Sequence, residues 1–127
     1  MVVLDTNIII DHLRLQGTQE SQLMAIVRQK PKEVLALTTI SLQELYEGRS
    51  TKDSQKEQYL LATISPLRIL PYTYEVAKLA GEIARDLDRT IEFADAAIAA
   101  TTILNGGSLH TSNKKDFVGI VQLQLLS

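Results

Sequence analysis

The chain has 127 residues, 45% of them apolar and 22% charged, with a formal net charge of −2. This suits one soluble domain spanning residues 1–127, and it excludes a global basic field of the kind that coats nucleic acid. The absence of cysteine excludes disulfides and thiolate metal sites. No apolar run approaches the ~20 residues that cross a bilayer, and no basic segment precedes the first apolar stretch, so the expected setting is cytoplasmic, away from membranes.

Met1–Leu4 reads as a short buried strand. Asp5 or Thr6 can cap a helix after it, although the β-branched Ile8–Ile10 would equally suit a strand. Gln19–Gln29 has helical spacing, with Leu23, Ile26 and Val27 on one face, and Pro31 ends it. Val34–Thr38 is a second apolar strand. Ser41–Arg49 is a helix opened by a capping box of Ser41 and Glu44 and ended by Gly48. Asp53–Ile64 is helical. Pro66 and Pro71 bracket Leu67–Leu70, which reads as an edge strand. Thr73–Asp88 carries the apolar stripe Val76, Leu79, Ala80, Ile83 and Leu87. Phe93–Leu104 is an alanine-rich helix stopped by Gly106 and Gly107. Ser108–Thr111 and Ile120–Leu125 read as strands.

Short apolar strands alternating with helices predict an α/β fold in three layers, with a mostly parallel sheet of four or five strands covered on both faces. Such sheets bind ligands outside the carboxyl ends of their strands. Asp5 stands at the end of the first strand, and Thr111 and Asn113 stand just past another. The polar tripeptide Asp5-Thr6-Asn7, set between two apolar blocks, therefore falls where this architecture presents its ligand.

Four acids share that region: Asp5, Glu44, Asp95 and Asp116. Each has a plain structural reading. Asp5 can be an N-cap, Glu44 can complete the capping box, Asp95 favours a helix dipole, and Asp116 can cap a turn. Yet Asp95 shares its helix face with Ile98, Ala99 and Thr102, and a carboxylate on an apolar face is costly unless paired or metal-bound. Strand ends and helix starts lie along one edge of a parallel sheet, so all four acids can converge there. Converging carboxylates resist joint ionisation, and a divalent cation with oxygen preference relieves them. Neither His12 nor His110 has a partner at metal-ligand spacing, which disfavours zinc.

The segments DTNIIIDHL, ISLQELYEG, FADAAIAATT and LHTSNKKDF, in that order, resemble the PIN-domain ribonucleases of the VapC toxin type. The resemblance spans nearly the whole chain. It implies a PIN-like fold and a metal-dependent endoribonuclease that hydrolyses phosphodiester bonds in structured RNA. It assigns Asp5, Glu44, Asp95 and Asp116 to an acidic quartet holding Mg²⁺ or Mn²⁺, with Asp5 and Asp95 as core ligands. Asn7, Thr111 and Asn113 match the supporting polar positions. It also implies a cognate antitoxin, whose segment crosses apolar grooves and reaches the acidic pocket, and a homodimer; the chain's own apolar stretches, Leu23–Val27 and Tyr59–Ile64, suit such a groove and equally suit the core. Arg14, Lys114 and Lys115 are candidate phosphate contacts.

Two other enzyme classes gather acids at strand ends. Haloacid-dehalogenase-like hydrolases carry a second Asp two residues after the first, where this chain has Asn7. Receiver-like domains carry an acceptor Asp after a middle strand, where Val34–Thr38 ends in threonine. The rival from another class is a non-catalytic PIN-like module that binds RNA or protein without cutting.

Overall fold

The computed structural model describes residues 1–126. Four strands form one parallel sheet: β1 (Val2–Leu4), β2 (Leu35–Thr38), β3 (Arg68–Leu70) and β4 (Ser108–His110). Their order across the sheet is β3-β2-β1-β4. Six α-helices connect them: α1 (Thr6–Leu15), α2 (Gln22–Gln29), α3 (Thr39–Glu47), α4 (Ser54–Ile64), α5 (Tyr74–Asp86) and α6 (Phe93–Leu104).

Both sheet faces are covered, and β1 shows why its residues are apolar without alternation. Val2 and Leu4 pack with Ile8, Ile9, Leu23, Ile26, Leu45 and Leu60, the α1–α4 side of the sheet. Val3 points the other way, with Ala36, Ile98, Ala99, Leu109 and Phe117. Alternate residues of a strand face opposite sides, so a strand buried on both must be apolar throughout. α6 is the most enclosed helix. Residues Ala96 to Thr102 are all buried, and small alanines let α5 and the sheet approach it closely. Thr101 and Thr102 donate to the carbonyls of Ala97 and Ile98 at 2.7 and 2.8 Å, so neither hydroxyl is left unpaired in the core.

Several boundaries differ from expectation for local reasons. Asp5 resolves the first choice: its backbone is extended and its carboxylate accepts from the Thr6 amide at 2.8 Å, which starts α1. The expected capping box at Ser41 is not the start of α3. Thr38, the extended last residue of β2, accepts from the Ser41 amide at 3.0 Å and caps the helix three residues before Ser41. Ser41 is then a buried residue inside the helix. Ser21 caps α2 in the same way, accepting from Met24, and shortens the predicted helix.

The segment Ile120–Leu125 is not a strand. The Leu123 amide bonds back to the Ile120 carbonyl in a turn, and the segment makes a single parallel bridge between Leu125 and Leu109. The edge position of Leu67–Leu70 is as expected, since β3 pairs with β2 alone. On the opposite flank, β4 enters the sheet through Gly107. A Cβ there would lie 3.1 Å from the Met1 carbonyl oxygen, so the strand reaches β1 without a side chain at that point.

Ile98 is fully buried and faces the sheet from α6. Ile98→Ala should cost about 2–5 kcal/mol in urea unfolding, with the denaturant slope unchanged. A cost below ~1 kcal/mol would mean that the α6–sheet contact is looser than described.

Candidate functional site

The chain runs from β1 to one side to make β2 and β3, and to the other side for β4. The sheet therefore has its topological reversal between β1 and β4, where open α/β sheets leave a crevice at their carboxyl ends. The register pairs Leu4 with His110, so the residues that follow them, Asp5 and Thr111, stand side by side.

Asp5 is buried and both its oxygens are engaged. Oδ1 accepts from the Thr6 amide at 2.8 Å, and Oδ2 accepts from the Thr111 hydroxyl at 2.7 Å. The Thr111 hydroxyl itself accepts from the Asn113 amide at 3.0 Å, which fixes its proton on Asp5. Burial pushes the Asp5 carboxyl above its ordinary value, and these two hydrogen bonds oppose that shift. The Asn7 side chain reaches the same loop, where its oxygen accepts from the Ser112 amide at 3.5 Å.

Glu44, on α3, faces this centre rather than its own helix start. The Thr6 hydroxyl lies 2.6 Å from Glu44 Oε1 and 2.8 Å from Ser41 Oγ, and Ser41 also lies 3.2 Å from Thr38 Oγ1. The capping-box reading of Glu44 thus gives way to a chain of hydroxyls running from β2 to α1.

Asp95 stands in the first turn of α6, half-buried. Its carboxyl is pushed up to about 6, first by burial and then by the negative charges of Asp5, Asp116, Glu44 and Glu92. The expected four acids therefore share one electrostatic neighbourhood, and Glu92 adds a fifth charge. Asp116 lies in a 3-10 turn, Lys114–Phe117, half-buried beside the exposed Lys114 and Lys115. Of the expected basic residues, Arg14 lines a cavity of about 350 Å³ that Glu44 also lines, with Ile10, Leu13, Leu45 and Leu60 in its walls.

Among the described residues, no group of three or more His, Cys, Asp or Glu side chains is arranged to hold a metal ion. All four expected ligands offer carboxylate oxygens, and Mg²⁺ keeps several waters while binding one or two carboxylates. His110 is half-buried, its pKa lowered by burial and by nearby Lys114, and it meets Asp5 through the main chain, its carbonyl accepting from the Asp5 amide at 2.9 Å. His12 is occupied elsewhere, 2.7 Å from Ser21 Oγ and 3.2 Å from the Tyr59 hydroxyl.

Sequence reasoning passed over Thr6, Ser41 and Glu92. Thr6 lay inside the polar tripeptide already singled out, and Glu92 lay next to the FAD segment. Ser41 was noticed for a capping role that belongs to Thr38.

A sequence profile of the PIN domain matches residues 2–120. The chain belongs to the PIN-domain family. It is 30% identical to ribonuclease VapC10 of Mycobacterium tuberculosis, a match covering 98% of this chain and 91% of that protein. The fold is similar to that of VapBC-1 from nontypeable Haemophilus influenzae, with a TM-score of 0.80, 25% identity, and coverage of 100% of this chain and 98% of that one. It is also similar to the DNA-bound VapBC structure from Salmonella typhimurium, with a TM-score of 0.83 at 23% identity over 98% and 96% of the two chains. The three-layer α/β architecture expected of a PIN domain is the one found.

The raised Asp95 pKa makes a signed prediction for the metal-free protein. Between the ordinary carboxylate value and about 6, the folded state holds a proton that the unfolded chain has released. Stability should then fall as pH rises through that window, and Asp95→Asn should flatten the fall and raise the melting temperature at neutral pH. Melting curves from pH 4 to 8 in chelator check this. A wild-type stability that rises steadily across the window would contradict the shared field.

Proposed function

We propose that this protein is a Mg²⁺- or Mn²⁺-dependent endoribonuclease of the VapC toxin type, cutting phosphodiester bonds in structured RNA. The observation that supports the reading is the hydrogen-bonded cluster at the carboxyl edge of the sheet, where Thr111 and Thr6 hold Asp5 and the Thr6 hydroxyl holds Glu44, two of the acids that the family resemblance assigns to the site. Asp5 and Asp95 would be the principal ligands, with Glu44 and Asp116 joining directly or through water. A cation held by these residues would supply an acidified water for in-line attack on phosphorus and positive charge for the leaving oxygen.

The chain's own residues prepare that chemistry. The Thr6 amide and the Thr111 hydroxyl each donate to one Asp5 oxygen, which favours the ionised form and fixes the carboxylate's orientation. The Thr6 hydroxyl orients Glu44, and Asn113 orients Thr111 through its amide. Asn7 braces the loop that carries Thr111 and Asn113. The reading requires no histidine base: the His12 ring is bonded to Ser21 and Tyr59, and His110 meets Asp5 through its main-chain carbonyl. Four tyrosines and two phenylalanines are few for reading RNA by stacking, so contacts to shape and phosphate are favoured.

The partners follow from the same reading: an antitoxin and a second copy of the chain, in a cytoplasmic setting. VapBC structures from other organisms support the first. Within Leu23–Val27, Leu23 and Ile26 belong to the core, whereas Met24 and Val27 are exposed and line an apolar groove with Leu67. That groove suits an antitoxin's apolar segment. No helix among the described residues is long and apolar enough to cross a membrane.

The test is cleavage of total tRNA and a structured rRNA fragment by wild type and Asp95→Asn, with Mg²⁺, with Mn²⁺ and with chelator. Wild type alone should cut, and chelation should stop it. Mn²⁺ at 100 times its dissociation constant should stabilise wild type by about 2.7 kcal/mol and Asp95→Asn far less. RNA bound but uncut, with melting indifferent to Mn²⁺, would replace the nuclease by a non-catalytic binding module.

A further inference from the structure

Asp116 differs from the other three acids in what holds it. Asp5 caps α1 from the end of β1, Glu44 stands within α3, and Asp95 stands in α6. Asp116 belongs to a four-residue 3-10 turn whose leading residue makes no side-chain cap. Its own amide makes one bond, to the Asn113 carbonyl at 3.0 Å. Short turns of this kind have poor hydrogen-bond geometry and need support from outside.

Arg89 supplies it from the loop between α5 and α6. Its Nη2 donates to the main-chain carbonyl of Asp116 at 3.0 Å and to that of Val118 at 2.7 Å. Nη1 reaches the Thr90 carbonyl at 3.5 Å, which steadies the head group on its own loop. Among the described residues, no carboxylate stands at ion-pair distance from Arg89. Its partners are carbonyls: the two hydrogens of Nη2 serve those of Asp116 and Val118, while Nη1 turns to Thr90.

The seam beneath is tight. Phe117 and Ile120 are buried with Leu87 and Ile91 packed against them. Gly119, at φ 92°, lies so near that a Cβ would sit 3.2 Å from Leu87 Cδ1. The loop that Arg89 occupies runs directly into α6, whose first turn carries Asp95.

We propose that Arg89 is a positioning residue, clamping the 116–118 main chain to the loop leading into α6 and thereby setting Asp116 relative to Asp95. It acts through the backbone and contacts no reacting group. Its consequence for cation binding rests on the quartet reading given above, whereas the clamp itself does not.

The experiment compares wild type, Arg89→Met, which keeps a long apolar stem without donors, and Arg89→Lys. Three quantities are read: amide hydrogen exchange in metal-free protein, the Mn²⁺ dissociation constant by calorimetry, and kcat and KM on RNA. In Arg89→Met, exchange should quicken at residues 113–118 and stay unchanged in α6. Mn²⁺ affinity should fall by about 10–100-fold, the range typical of groups that orient metal ligands. The loss should appear in kcat with KM unchanged, and added guanidinium should restore part of it.

Unchanged exchange and unchanged Mn²⁺ affinity would overturn the proposal. So would a raised KM at unchanged Mn²⁺ affinity, which would make Arg89 a phosphate contact. Exchange quickened throughout the protein would reduce it to a general structural role and overturn it equally. If Arg89→Met does not fold, Arg89→Lys takes its place, with a smaller loss expected and full wild-type behaviour as the overturning result. If wild type binds no Mn²⁺ and cuts no RNA, the cation reading fails, and local exchange alone decides the clamp.

Discussion

A carboxylate buried at the end of a strand sets the terms for the rest of this fold. Asp5 lies beneath the surface with Leu4 on one side and Ile8 and Ile9 beyond it, all fully buried. An ion in such surroundings is tolerated only with hydrogen bonds, and losing one partner costs more than the pair contributes. One donor is an amide freed by the start of α1, and the other is a hydroxyl brought by β4. Both require the strand to end at Leu4 and β4 to pair with it in register. The reversal in strand order at β1 thus serves a single side chain.

The remaining acids add load to that arrangement. The α6 dipole favours Asp95 as an ion by roughly 0.3–1 kcal/mol. Burial and the neighbouring charges act in the opposite direction and prevail, since the net shift is upward. The helix that carries Asp95 is also the most enclosed one, so it cannot tilt away to relieve the repulsion without exposing its alanine face. The packing that defines the core therefore also fixes where the Asp95 carboxylate stands.

Much of this was legible in the residues. The alanine run of α6, the apolar β1 and the proline-bracketed β3 follow from short-range pattern, and each element forms where expected. The DTN tripeptide marked the crevice because parallel sheets expose their strand ends. What escaped was decided at longer range. Ser41 and Glu44 match a capping box, but Thr38 is already extended at the end of β2 and takes the cap first. Ile120–Leu125 has apolar strand character, yet it gains a bridge to Leu109 and no ladder. Arg89 has no sequence signature, because its partners are main-chain carbonyls 27 and 29 residues away.

The pairing of β1 with β4 has a consequence in time. The hydrogen bond from Thr111 to Asp5 closes across 106 residues, and contacts of such separation form late because the loop entropy must be met first. On a ribosome, β1, β2 and β3 can begin to pair while the segment carrying β4 has yet to be made. Throughout that interval Asp5 lacks its second donor, and the turn that bears Asp116 does not exist. The crevice is assembled last, so a half-made copy of this chain can be partly structured and still have no site.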